Sequence, residues 1–316
     1  MRAPEFWGRD GAPARLLAPL GFIHGASVAW KARHTNPLRV GARVICVGNL
    51  TAGGSGKTPV AIAIAGLLMG QKVLFLTRGY GGRLAGPRRV EPDDSAAEVG
   101  DEALLLACAA PTIMAKDRRA GALAAIAEGA RIIVMDDGHQ NFLLEKDLSL
   151  VVVDGETGFG NGRVIPAGPL REPVAQGLAR ADAVVVMGPG QPRLDGFNGP
   201  VLRAKLVADG AEFSGRRVYA FAGIGRPEKF LASLRDADAI IAGSRFFGDH
   251  HFYDPMELIA LRTQALAASA VLVTTEKDHA RLAPEQRGGI AVLPVRAIFD
   301  DPDALARLLD SRPPAV

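Results

Sequence analysis

Cysteine is scarce. The 316 residues hold two, Cys46 and Cys108, both in apolar surroundings. Two thiols cannot build a disulfide framework or a multi-cysteine metal site, so both are read as buried and reduced, which fits a reducing compartment. Long apolar runs are missing too, since no stretch approaches the roughly 18 residues a membrane-spanning helix needs. No cleavable leader is expected, because the first apolar stretch starts late and no small-residue cleavage site follows it. There is no internal repeat and no low-complexity tract. Charge of one sign is also in short supply: the formal net charge is +3 and the isoelectric point is near 9.0. That suits an anionic partner such as a phosphorylated compound or an acidic membrane face. It is too weak to demand nucleic acid, and none is expected.

What remains is ordinary globular material, with 48% hydrophobic and 22% charged residues. A sizeable core is available, in a length that is generous for one domain and comfortable for two.

The rest of the chain is organised around residues 43–60, RVICVGNLTAGGSGKTPV. A β-branched run (Val44, Ile45, Val47) leads into Thr51, Ala52, Gly53, Gly54, Ser55, Gly56, Lys57 and Thr58, with Pro59 behind. This is the layout of a phosphate-binding loop between a buried strand and a helix. Backbone N–H groups turn inward around phosphate oxygens, Lys57 reaches the β/γ-phosphates, and the Thr58 hydroxyl is placed to hold Mg²⁺. The helix adds its N-terminal dipole, and Pro59 fits a first turn that needs no donor from it. One departure stands out. The usual spacing puts glycine where this chain has Thr51.

Along the chain, Phe6 and Trp7 precede a segment from Ala14 to Arg33 carrying Leu16, Leu17, Leu20, Phe22, Ile23, Val28 and Trp30. Arg2, Arg9, Arg15, Lys31, Arg33, Arg39 and Arg43 flank it. Pro19, Gly21 and Gly25 interrupt it, so one or two short amphipathic helices are expected rather than one long one. They either lie in a bilayer interface or pack on the main domain. From residue 43, strand signals (43–47, 72–77, 112–115, 131–135, 148–154, 183–187) alternate with helical ones (59–69, 102–109, 120–128). The fold class is therefore α/β: a P-loop NTPase-like, mostly parallel sheet flanked by helices, with its ligand at the carboxyl ends of the strands. A Gly/Pro-rich boundary ends near Pro200. Residues 201–207 read as an extended connector to a second, smaller α/β domain, with strands at 217–221, 239–242, 270–274 and 290–294. Helices are expected at 227–234, at 255–268 and from Pro302, and the terminal SRPPAV should fray. The expected division is 1–40 (amphipathic helical segment), 41–200 (P-loop domain) and 201–316 (second domain).

Several side chains carry candidate chemistry. Residues 131–138, RIIVMDDG, end a strand in Asp136 and Asp137, either of which can support Mg²⁺ directly or through water. Asp101 and Glu102 open a helix and are either first-turn caps or a base for a substrate hydroxyl. In FFGDHHFY, His250 and His251 are badly spaced for a metal pair. One histidine is expected to reach the interdomain cleft and orient or relay a proton. Lys116, Arg118 and Arg119, and Arg171 in PAGPLREP, sit after strands where they can clamp phosphate. TTEKD (274–278) lacks the residue between lysine and aspartate that a guanine reader needs, so GTP is not inferred.

Together, FW, VGNLTAGGSGKTP, LTRGYGG, VGDE, DDGHQN, PAGPLREP, FAGIGRPEKF, DHHFY and TTEKD resemble the tetraacyldisaccharide 4′-kinases, the lipid A 4′-kinases of Gram-negative bacteria, nearly end to end. Threonine at position 51 belongs to that family's loop. The resemblance implies ATP and Mg²⁺ as cofactors. It implies transfer of the γ-phosphoryl group to the 4′-hydroxyl of a tetraacyldisaccharide 1-phosphate by a peripheral protein, expected to be monomeric, on the cytoplasmic face of the inner membrane. It makes Asp101 the general base, paired across the cleft with His250, and gathers Glu102, Asp136 and Asp137 around the metal with Thr58. Lys57 keeps its phosphate role, and Arg118 and Arg171 become charge stabilisers or substrate contacts. The N-terminal segment becomes a membrane-docking and acyl-chain surface. Rival readings are a kinase for another glycolipid or small molecule, a P-loop ATPase switch (against which Ala52 stands where a second lysine would reach across a dimer), and a membrane-binding module without chemistry.

Overall fold

The structure, a computed structural model, describes residues 4–311. Arg2 and most of the SRPPAV tail lie outside the described residues. The helices are α1 (Ala12–His34), α2 (Lys57–Leu67), α3 (Ala96–Val99), α4 (Asp101–Ala109), α5 (Arg118–Ala127), α6 (Val174–Leu178), α7 (Pro227–Asp236), α8 (Pro255–Ala267), α9 (Glu276–Arg281) and α10 (Pro302–Asp310). The strands of the first half are β1 (Arg43–Gly48), β2 (Val73–Thr77), β3 (Arg88–Arg89), β4 (Thr112–Met114), β5 (Ile132–Asp136), β6 (Leu148–Asp154) and β7 (Ala183–Met187). The second half supplies β8 (Val201–Ala208), β9 (Arg217–Ala222), β10 (Ile240–Phe246), β11 (Val271–Thr275), β12 (Ile290–Leu293) and β13 (Val295–Phe299).

A nine-stranded sheet has the order β13-β8-β7-β6-β1-β5-β2-β4-β3. It is parallel from β8 to β4, with antiparallel β13 and β3 closing its edges. The central strands are apolar on both faces because helices cover both. In β1, alternation sends Ile45 and Val47 to the side of α2 and α10, with Val60, Ile64 and Leu305. Val44 and Cys46 face the opposite side, with Ala122 and Ala125 of α5. A separate four-stranded parallel sheet, β10-β9-β11-β12, packs its own core around Phe213, Phe230 and Leu234.

Three expectations are corrected. The "connector" at 201–207 is strand β8 of the large sheet, where Leu202 and Ala204 are buried beside β7. The chain also returns to that sheet at its end: Pro294 separates β12 in the small sheet from β13 in the large one, and α10 follows. Residues 201–316 are thus not one unit. The N-terminal segment is one 23-residue helix, α1, with Pro19 inside it. Its glycines are contact points rather than breaks. A Cβ on Gly21 would sit 2.6 Å from the Val164 carbonyl oxygen, and one on Gly25 would sit 3.3 Å from Pro173. Small residues (Ala14, Gly21, Gly25) therefore face the protein, while Leu16, Phe22, Ile23 and Trp30 point outward. Finally, Cys46 is buried as expected, but Cys108, on the last turn of α4, is exposed.

Candidate active site

The loop after β1 is held open by its surroundings. Thr51 forms an antiparallel bridge with Leu170, and the Ala52 amide donates to the Pro169 carbonyl at 2.7 Å. Extended backbone at Thr51 has no need of glycine, which accounts for the departure from the usual spacing. Gly56, at φ +88, does need to be glycine, because it turns the loop into α2. Asn49 Nδ2 donates to the buried Ser55 hydroxyl at 3.1 Å and braces the loop from beneath. Lys57 and Thr58 are buried in the first turn of α2.

Around them lie three carboxylates. The Thr58 hydroxyl donates to Asp136 Oδ2 at 3.0 Å, while Asp136 Oδ1 is buried without a hydrogen-bond partner. Burial, then the nearby Glu102 charge, pushes the Asp136 carboxyl up to about 7. Asp137 turns back at φ +52, where its Oδ1 lies 2.8 Å from Arg171 Nη1 and 3.7 Å from Lys57 Nζ. Burial would raise its acidity constant, but Lys57 and Arg171 outweigh it and hold the carboxyl below the usual range. Glu102 accepts from Lys277 Nζ at 2.7 Å, and that cation, against burial, keeps Glu102 ionised.

The second domain reaches this centre. Asp101 Oδ2 lies 3.2 Å from His250 Nδ1 and 2.9 Å from Arg281 Nε, with Arg281 Nη2 also donating to it. Asp101 Oδ1 accepts the Glu102 amide at 2.8 Å. Burial alone would push the Asp101 carboxyl up. The hydrogen bond from His250 and the charges of Lys277 and Arg281 overcome that and hold it well below the usual carboxylate range. His250 sits at φ +58, a left-handed backbone that non-glycine residues adopt at a cost of about 1–3 kcal/mol. Its amide, bonded to the Gly223 carbonyl at 3.0 Å, helps hold it there.

The sequence-based candidates thus converge, with exceptions. His251 leaves the cleft and pairs with Glu257 at 2.8 Å. Arg118, expected at a substrate phosphate, is instead buried: its guanidinium donates to the carbonyls of Ala115 (2.8 Å) and Asp136 (3.3 Å), tying β4 to β5. Arg119 likewise serves the Leu143 and Asn36 carbonyls. Among the described residues, no three His, Cys, Asp or Glu side chains form a metal cluster.

Four residues escaped the sequence reading. Lys277 and Arg281 lie one helical turn apart in α9, a spacing that TTEKD followed by HAR displays but that a search for a guanine reader overlooks. Arg226 and Lys229 of α7 both pair with Asp154 Oδ2, at 2.8 and 3.0 Å, and Arg226 Nη2 also approaches the Gly54 carbonyl of the loop at 3.4 Å.

A family model described as tetraacyldisaccharide-1-P 4′-kinase matches residues 13–313. The chain belongs to that family. Curated tetraacyldisaccharide 4′-kinases resemble it closely. The one from Paramagnetospirillum magneticum is 52% identical over 319 residues, covering 98% of each chain. The one from Rhodospirillum rubrum is 48% identical over 322 residues, covering 98% of this chain and 97% of its own. A crystal structure of LpxK from Aquifex aeolicus in complex with ATP matches with a TM-score of 0.76 at 24% identity, covering 94% of this chain and 98% of that one. At that identity the structural likeness speaks to the fold, which agrees with the α/β P-loop architecture read from sequence. Among the described residues, no helix of this tetraacyldisaccharide 4′-kinase family member is long and apolar enough to cross a membrane.

Proposed function

We propose that this member of the family transfers the γ-phosphoryl group of ATP to the 4′-hydroxyl of a tetraacylated glucosamine disaccharide 1-phosphate. One observation carries the reading at this site: the second domain lays His250 on Asp101 immediately beside the Lys57–Thr58 loop and its acidic cluster. A nucleotide-binding loop alone needs no such pair, whereas a kinase must receive the proton of an acceptor hydroxyl.

In this reading Lys57 lies along the β/γ-phosphates and stabilises charge on the transferring group. Arg171, parked on Asp137, is the second cation available to the phosphates. The acceptor oxygen attacks the γ-phosphorus, the bond to the ADP oxygen breaks, and the acceptor proton passes to the Asp101–His250 pair. Both Asp101 oxygens are already occupied, and the His250 side chain is 35% exposed against 3% for Asp101. Nε2 of His250 therefore faces the substrate, with Asp101 orienting the ring and balancing its charge. This moves the receiving atom from Asp101, the expected base, to its partner.

The residues present fit a magnesium ion. Thr58, Asp136 and Glu102 offer hard oxygen donors, and the buried, unpartnered Asp136 Oδ1 beside a like charge lacks a cation. When bound, Mg²⁺ would neutralise charge on the phosphates; Asp137, spent on Lys57 and Arg171, is the weaker candidate ligand.

The lipid end of the reading rests on α1. Outward Leu16, Phe22, Ile23 and Trp30, with basic Lys31, Arg33 and Arg163 near one end, suit a protein lying as a monomer on the anionic cytoplasmic face of the inner membrane. A groove of about 600 Å³ between α1 and residues 162–176, lined by Gly21, Phe22, Val164 and Pro173, offers an acyl chain a place to lie. The test is transfer of labelled γ-phosphate from ATP to purified disaccharide 1-phosphate lipid, followed by location of the new phosphate. Label at the 4′ position is expected, and no transfer would refute the reading.

A further inference from the structure

The TTEKD stretch has no part in the chemistry above, yet it builds the contact between the two sheets. It forms the end of β11 and the start of α9. Lys277 and Arg281, four residues apart on that helix, meet Glu102 and Asp101, which are consecutive in the first turn of α4. We propose that α9 is a positioning clamp for phosphoryl transfer: Arg281 fixes Asp101, and through it His250, while Lys277 fixes Glu102. The reaction centre is then complete only when the second domain is seated on α4. This inference rests on the kinase reading of the site.

The clamp is rigid on its own side. The Arg281 guanidinium is 1% exposed, and its Nη1 donates to Gly223 O and Asp278 Oδ1, each at 2.7 Å. Asp278 is itself held by the Gly223 amide (2.9 Å), the Tyr253 hydroxyl (2.8 Å) and the Thr275 hydroxyl (2.7 Å). Arg281 therefore cannot shift without α9, β11 and the turn that carries His250, whose amide bonds the same Gly223 carbonyl. Two structures from one domain, a guanidinium and an imidazole, meet on one carboxylate oxygen of the other. Buried ion pairs of this kind contribute little net stability after desolvation, so registration is the use that fits them. Only the planar fork of arginine spans Asp101, Asp278 and the Gly223 carbonyl together. Arg281 touches no substrate in this arrangement and acts through Asp101.

The test uses steady-state kinetics on the full chain with ATP and the lipid acceptor. Wild-type transfer is the control, and its absence would sink the kinase reading rather than the clamp. Arg281→Ala is expected to lower kcat roughly 100-fold, the cost of misplacing a catalytic group by about 1 Å. KM for ATP and for lipid should stay within about threefold, since binding groups are untouched. Added guanidinium ion should restore part of the lost kcat, and Arg281→Lys should remain about as slow as Arg281→Ala, having the charge without the fork. Near-wild-type kcat, a loss carried by KM for ATP, or a loss that guanidinium leaves unchanged would each overturn the proposal. Should Arg281→Ala fail to fold, Lys277→Gln takes its place, its side chain being 31% exposed. A fall in kcat of about tenfold or more at constant KM supports the clamp, and an unchanged kcat overturns it.

Discussion

Asp154 gives the most direct physical test of how the second domain is held at the phosphate loop. It ends β6, next to β1, and is 6% exposed. Its Oδ1 accepts the amides of Glu156 and Thr157 and the Thr157 hydroxyl, while Oδ2 receives Arg226 and Lys229 from α7. Burial opposes ionisation, but the Thr157 amide, Lys229 and Arg226 prevail and lower the carboxyl from its ordinary 3.8 to about 2. A group whose acidity constant falls on folding contributes stability above its unfolded value and loses it as pH drops through the folded one. The displacement is worth about 2 kcal/mol at pH 7 and about half that at pH 3. Asp154→Asn strands no buried charge, since Arg226 and Lys229 are 36% and 47% exposed. Urea unfolding of wild type and variant at pH 7, 5, 4 and 3 should show a gap of about 2 kcal/mol that narrows only below about pH 4. A gap independent of pH, or none at pH 7, would mean that the carboxylate's charge is not what joins these elements.

Three further outcomes follow. Lys57→Met should lower kcat by about 10²–10³ in the labelled-phosphate assay with the fold intact by circular dichroism, because one preorganised charge at the transferring group is lost. His250→Gln should lower kcat by about 10²–10⁴ at nearly constant KM for ATP, and adding Asp101→Asn should cost little more, since the two act as a unit. Strictly additive losses would separate their roles. Replacing Leu16, Phe22 and Trp30 (81%, 78% and 62% exposed) by glutamate should leave the melting temperature unchanged. It should cut co-sedimentation with anionic vesicles by at least about 100-fold, each apolar side chain being worth about 1.5–3 kcal/mol when buried in lipid; equal partitioning would remove α1 from the membrane face.

Much of the large sheet was legible because its central strands are apolar on both faces and are punctuated by glycine and proline. β6 and β7 fall where the sequence puts them, at Leu148–Asp154 and Ala183–Met187. The failures have local causes. β8 is a near-edge strand, exposed over much of its length, so its pattern resembles a connector. β12 and β13 are separated by Pro294 alone, and no local signal says that the chain changes sheets there. Pro19 and the two glycines look like breaks in α1, since propensity counts their cost. Their value appears only against Val164 and Pro173, about 140 residues away, where the missing side chains admit close contact.

The site was legible in a different way. Each half of it, the loop and acidic strand end of one sheet and the histidine of the other, carries a recognisable local pattern. What no local pattern contains is which carboxylate meets which cation. Asp101 read equally well as a helix cap or a base, and it is neither in isolation. It caps no amide beyond the adjacent Glu102, and both its oxygens are taken up, Oδ2 by Arg281 and His250. Its function is set by a helix 175 residues downstream, counting from Glu102 to Lys277. The same logic removes Arg118. An arginine after a strand can face phosphate or tie strand ends together, and which it does depends on whether the neighbouring carbonyls are otherwise satisfied. Here the Ala115 and Asp136 carbonyls claim it, and that bond orients the strand end from which the Asp136 carboxylate reaches Thr58. Arg118 thus serves the reaction by holding the strand end that carries the acidic cluster, without approaching the phosphates itself.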